Sequence, residues 1–217
     1  MDILVQGPTL IEQTYASLLN AICDGRVQPG ARLNQDELAG RMGVSRQPVG
    51  QALSILKTQG FVRDAGRRGL IVAPLERDFF RSIYELREAI DPMAARLAAR
   101  RGAQAEAAEG RQLIVAGRNA VKSASIDTLI AADMRFHMWV YKLAGNPLLV
   151  DTMRLYWNHL RRAMAEVLRP AEGRKKVWDE HEAILEALLD RDGAAAERHS
   201  LRHVRDAAQR VADSIPA

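Results

Sequence analysis

The sequence predicts a mainly α chain, with an N-terminal winged helix-turn-helix domain over residues 1–75 and an all-α antiparallel helical bundle over residues 76–217. Three observations predict it. Two short helical patterns meet across Gly43 and Ser45 with only a tight turn between them. Behind them, "FVRDAGRRGLIVAP" places two short β-prone runs around a glycine-containing turn. From residue 76 onward the periodicity is helical throughout.

Each element has its own signal. Tyr15, Leu18, Leu19 and Ile22 follow the i, i+3, i+4, i+7 rule, so residues 10–23 read as an amphipathic helix stopped near Gly25. "VQPGARL" reads as a turn. Asn34 and Glu37 have capping-box spacing and open a short helix through Leu38, Ala39 and Met42 that ends at Gly43. Ser45 is placed to cap the third helix, with Pro48 in its first turn, where a missing N–H is harmless. Val49, Ala52, Leu53 and Leu56 form its buried stripe, and Gly60 closes it. Pro74 marks the boundary. Six helices are expected beyond it, near 76–101, 103–122, 126–144, 147–169, 174–191 and 194–213, which suggests a bundle. Pro92, inside the first of them, should remove one backbone bond and kink the rod.

Composition narrows the function classes. The hydrophobic fraction of 47% is that of a globular protein, so disorder is not the default. The single cysteine, Cys23, cannot form an internal disulfide, and the opening residues lack the pattern of a secretory signal, which points to the cytoplasm. Arg, Glu or Asp interrupts every apolar stretch before it could span a membrane. The net charge of +4 is modest, but it is unevenly spread. Between residues 41 and 68, Arg41, Arg46, Lys57, Arg63, Arg67 and Arg68 stand against Asp64 alone, the kind of local excess that a nucleic-acid partner would explain.

In a helix-turn-helix the second helix docks in the major groove of double-stranded DNA. Ser45 and the exposed N–H groups of the helix start could then hold a phosphate, with Arg46 and Gln47 pointing outward from the first turn. Arg67 and Arg68 sit at the tip of the wing, within reach of phosphates or a minor groove. "GRVQPGARLNQDELAGRMGVSRQPVGQALSILKTQGFV" resembles the winged DNA-binding domain of the GntR family of bacterial transcription regulators, over roughly residues 10–74. The resemblance implies a repressor or activator that binds a short operator palindrome as a dimer. It also exposes a departure. The family usually continues "PVREAL", with an arginine that contacts DNA, whereas this chain has Gly50 and Gln51. Gln51 is a candidate substitute, because glutamine can pair bidentately with adenine.

The helical half carries a second constellation. Asp133 and His137, at i and i+4, project from one face of one helix about 6 Å apart along its axis. His181 and His203 each lie eleven residues from Asp192, so an antiparallel hairpin brings them to one level. His199 falls one turn nearer the loop, and His159 has no evident companion. One carboxylate and three imidazoles suit zinc, or a divalent metal such as nickel or manganese, and leave positions for water or a ligand carboxylate.

"LIAADMRFHMWVYKLAGNPLL" followed by "EHEAILEALLDRDGAAAERHSLRH" resembles the FCD effector domain of the FadR subfamily of GntR regulators, over roughly residues 78–213. The resemblance implies that Asp133, His137, His181 and His203 coordinate the metal. It also implies that a small organic or sugar acid binds beside the metal, with Arg87 near its cavity. From the residues alone, a surface pairing of Arg87 with a neighbouring glutamate stands at least level with that role, and no role carries over to Asp91, which stands where relatives usually have glutamate. The leading expectation is therefore a dimeric, metabolite-responsive DNA-binding regulator, not an enzyme and without a membrane partner. The alternatives are a hydrolase-like metalloenzyme using the Asp/His set, and a regulator whose metal is purely structural or itself the signal.

Overall fold

The computed structural model describes residues 7–66, 69–102, 105–123, 125–167 and 173–214. Contacts divide the chain into two compact units, 1–75 and 76–217.

In the first unit, α1 (Leu10–Cys23) is opened by a reciprocal capping box between Thr9 and Glu12. Its buried face is Thr14, Leu18, Leu19, Ile22 and Cys23. Tyr15, expected in that stripe, is only half-buried, because its hydroxyl reaches out to donate to Gln59 Oε1 at 2.7 Å. The run read as a turn contains a short strand, β1 (Arg32–Leu33). Two residues are too few to show a period, so the strand is legible only through its pairing partner. The Asn34 side chain accepts from the Asp36 and Glu37 amides to open α2 (Gln35–Met42), and Gly43 closes it at φ 65°, a conformation that favours glycine.

Ser45 occupies the N-cap position of α3 (Arg46–Thr58), but its hydroxyl makes no capping bond. Pro48, three residues on, has no N–H, so only the Gln47 amide is left as a donor to that hydroxyl. Val49, Ala52, Leu53 and Leu56 are each 2% exposed or less and pack α3 on α1. Each large side chain so buried stabilises the unit by roughly 1.5–3 kcal/mol. Strands β2 (Val62–Asp64) and β3 (Leu70–Val72) form the expected hairpin, with Arg63 opposite Ile71. β1 pairs antiparallel to the far edge of β3, giving the order β1-β3-β2.

The second unit is made of α4 (Arg77–Arg101), α5 (Ala107–Ser123), α6 (Ile126–Leu143), α7 (Pro147–Val167), α8 (Arg174–Leu189) and α9 (Gly193–Ser214). α4 stays helical across the buried Pro92, so the proline does not end it. α4 packs most extensively on α9, with α8 against α9, α5 against α6 and α8, and α6 against α7. Small residues permit the closest approaches. Ala94, Ala95, Ala98 and Ala99 are fully buried on α4, and a Cβ at Gly117 of α5 would lie 2.1 Å from the Trp178 ring of α8. Among the described residues no helix is long and apolar enough to cross a membrane.

Candidate metal centre and nucleic-acid interface

α6, α8 and α9 each deliver one imidazole to the middle of the bundle. The candidate ligand nitrogens of His137, His181 and His203 all lie within 4.8 Å of one another, and all three residues are buried. His181 Nε2 and His203 Nε2 face each other at 3.3 Å. Asp133, one turn before His137, flanks the group: its Oδ1 lies 3.5 Å from His181 Nε2 and its Oδ2 3.9 Å from His137 Nε2. His199 is exposed, one turn away on α9, and His159 is buried elsewhere, with its ring edge-on to Phe79.

Neighbours fix these rings. Phe136 stacks on His181 with centroids 4.4 Å apart, and Trp178 meets the same ring edge-on at 4.8 Å. Glu180 Oε2 accepts from His203 Nδ1 at 2.8 Å, so the Nε2 of that ring is the bare nitrogen turned toward His181. Burial, with the nearby Arg87 charge second, pushes His203 down to about 3 and His137 well below the ordinary imidazole range. Burial, then the neighbouring His203, lowers His181 likewise. All three rings are therefore neutral near pH 7, the form that binds a metal. Burial also raises Asp133 to about 7, against the opposing pull of the Arg87 charge. A close, desolvated set of neutral imidazoles beside a carboxylate is the donor chemistry of a divalent cation, and His181 turns its Nε2 toward both His203 Nε2 and Asp133 Oδ1. The residues fit a metal.

Arg87 is not a surface residue paired with a glutamate. It is 2% exposed, and its Nε and Nη2 both donate to Asp91 Oδ2, at 3.0 and 2.8 Å. Its guanidinium lies 4.8 Å from the Trp157 ring centroid and 5.2 Å from that of Tyr84. The other Asp91 oxygen accepts from the Tyr141 hydroxyl at 2.6 Å. Asp91, to which sequence reasoning gave no role, thus holds both an arginine and a tyrosine beside the histidines. Arg87 Nη2 approaches His137 Nε2 to 3.4 Å. A cavity of about 40 Å3 touches this group and is walled by Arg87, Asp133, His203 and Arg210, together with Tyr84 and Val211. The last two also wall an open groove of about 620 Å3 along α4 and α9.

In the first unit, Ser45, Arg46, Gln47 and Gln51 are all exposed on α3. Arg46 Nε pairs with Asp36 Oδ1 at 2.7 Å, an exposed pair of small energetic worth that a phosphate could displace. Gly50 lies among these residues but is half-buried, because the Gln35 side chain covers it. Arg67 and Arg68 lie outside the described residues.

Two family models match the chain. Residues 10–72 match the gntR family of bacterial regulatory proteins, and residues 82–206 match the FCD domain. Among curated relatives, the Nta operon transcriptional regulator of Aminobacter aminovorans is 29% identical over 82% of either chain. The HTH-type transcriptional repressor RspR of Escherichia coli is 27% identical over 92% of this chain and 88% of its own. Two solved structures share the fold. McbR/YncC of E. coli has a TM-score of 0.80 at 22% identity, covering 94% of this chain and 98% of its own. A GntR-type protein from Rhodococcus sp. RHA1 has a TM-score of 0.82 at 20% identity, covering 95% and 99%. A winged DNA-binding unit joined to an FCD domain over most of the remaining chain has one meaning: this protein belongs to the GntR family and is a transcriptional regulator.

Proposed function

We propose that this regulator binds a palindromic operator as a homodimer and that a small organic or sugar acid, bound beside a divalent metal in the helical unit, sets its affinity for DNA. Asp133, His137, His181 and His203 would hold the metal, with zinc the best match to three imidazoles and a carboxylate and nickel or manganese the other candidates. Bound there, the metal would supply a cationic centre for the acid's carboxylate. Arg87 would supply a second one, held in place by Asp91 and the flanking aromatic rings, with guanidinium geometry suited to paired hydrogen bonds. On the DNA side, Ser45 would contact phosphate and Arg46, Gln47 and Gln51 base edges, with Arg67 and Arg68 reaching out from the wing. A cytoplasmic location follows from this role.

One observation carries the reading: three neutral imidazoles and a carboxylate converge within the bundle, beside a buried arginine and a cavity that reaches them. The effector acts by its difference in affinity for the DNA-competent and DNA-incompetent states. The test has two parts. Operator fragments are selected from genomic DNA with metal-loaded protein, and the affinity for the selected fragment is then measured across a panel of hydroxy, keto and sugar acids at constant metal. An acid that shifts DNA affinity and is recovered unchanged supports a sensor. An acid, ester or lactone consumed with turnover supports the hydrolase reading. DNA affinity that responds to metal alone makes the metal structural or itself the signal.

A further inference from the structure

Gly50 lies within α3 and offers no side chain, and the space above it is filled. A Cβ built on Gly50 would lie 2.6 Å from Gln35 Nε2 and 3.3 Å from Gln35 Cδ. The Gln35 amide therefore rests on the bare backbone of α3, and any other residue at position 50 would displace it. Its placement is fixed by a bond, because Nε2 donates to the Arg46 carbonyl at 2.5 Å. Nitrogen is the only end of the amide that can donate to a carbonyl, so the bond also settles which way the amide faces.

We propose that Gln35, a residue of α2, is a base-reading residue of this regulator and takes the place of the side chain that α3 lacks at Gly50. The proposal rests on the operator-binding reading above. An amide nitrogen carries two N–H groups, and Arg46 takes one. The second N–H and the Oε1 acceptor remain, a donor and acceptor side by side. Adenine presents the complementary pair, N7 and N6–H2, in the major groove. The neighbours favour the assignment. Gln47 and Gln51 are exposed on α3 before and after Gly50, and the half-buried Gln35 adds a third amide over Gly50 itself.

The experiment selects binding sites from a random-sequence duplex library with full-length wild type, Gln35→Ala and Gly50→Ala, with each variant's melting temperature measured alongside. Wild type should select a palindrome with at least one adenine-requiring position in each half-site. Gln35→Ala should still bind but lose discrimination at that position by roughly 5- to 150-fold, the range of one good bidentate contact. Gly50→Ala keeps the glutamine and displaces it, so it should relax the same position. A Gln35→Ala variant that selects the wild-type sequence with undiminished preference overturns the proposal and leaves the operator reading standing. A wild type that selects no sequence at all overturns both.

Discussion

Arg87 directs two nitrogens at one oxygen of Asp91, with both side chains 3% exposed or less, while the second Asp91 oxygen receives the Tyr141 hydroxyl. Asp91 therefore satisfies a buried cation and a buried hydroxyl with a single carboxylate. Replacing it leaves a guanidinium desolvated without its counter-charge, which typically costs about 3–5 kcal/mol. Asp91→Asn should destabilise the protein by about that amount in urea unfolding. Removing both charges, by Arg87→Met with Asp91→Leu, should recover part of the loss, because no charge is then left unpaired and the remaining cost is that of the Tyr141 hydroxyl without its acceptor, about 1–3 kcal/mol. Recovery in the double variant separates a charge effect from poor packing.

Metal content should depend on His181 and not on His199. His181 is wholly buried and shares its Nε2 surroundings with His203 and Asp133, whereas His199 is exposed on α9. Elemental analysis of protein purified without chelator should find His181→Ala depleted and His199→Ala equal to wild type. A metal that binds only the folded protein also stabilises it, so chelation should lower the melting temperature of wild type and leave that of His181→Ala unmoved. Equal metal in wild type and His181→Ala would remove the assignment.

The contrast between these two sets of residues explains what the sequence made legible. The histidines could be placed because helical spacing and one hairpin turn at Asp192 set their levels, and both are local rules. The role of Asp91 depends on Tyr141, fifty positions away on another helix, and no periodicity connects them. Glu180 carries no signal of its role in the sequence, because its partner His203 arrives from α9. The helices of the winged unit were likewise legible from caps and stripes, but β1 was not, because two residues acquire a strand's identity only from their partner β3. Gly50 read as a missing side chain. In three dimensions the place is occupied by a residue of the preceding helix.

Glu180 should set the affinity of the metal centre without touching the metal. It accepts from His203 Nδ1 at 2.8 Å and so fixes the ring with its other nitrogen bare, while Arg210 lies 3.5 Å from the same oxygen. A carboxylate in this relation to a ligating histidine orients the ring and raises its basicity, and its loss typically weakens metal binding 10–100-fold. Competition titrations against a chromophoric chelator should show that loss for Glu180→Ala, with Glu180→Gln intermediate because an amide oxygen can still accept from Nδ1–H. Affinity equal to wild type in both variants would mean that packing by Phe136 and Trp178, not Glu180, holds the site together.

Two glycines inside helices should respond to the same substitution with opposite signs. Gly40 lies in α2, is exposed, and has nothing within 4 Å of a Cβ built on it. Alanine there removes the conformational freedom that glycine lends the unfolded chain, so Gly40→Ala should stabilise by about 0.4–1 kcal/mol. Gly117 lies in α5 with the Trp178 ring 2.1–2.2 Å from the same built atom, and Trp178 is 2% exposed. One methyl group must there push a buried indole, and forcing a methylene into a packed core typically costs about 1–3 kcal/mol. Trp178 also lies edge-on to His181, so a displaced indole should disturb the metal centre as well as the packing. Gly117→Ala should therefore lose stability and metal affinity together, while Gly40→Ala gains stability with metal affinity unchanged. Denaturant midpoints and metal titrations on the two variants check both halves, and a Gly117→Ala variant as stable as wild type would mean that α5 and α8 have room for a methyl group at Gly117.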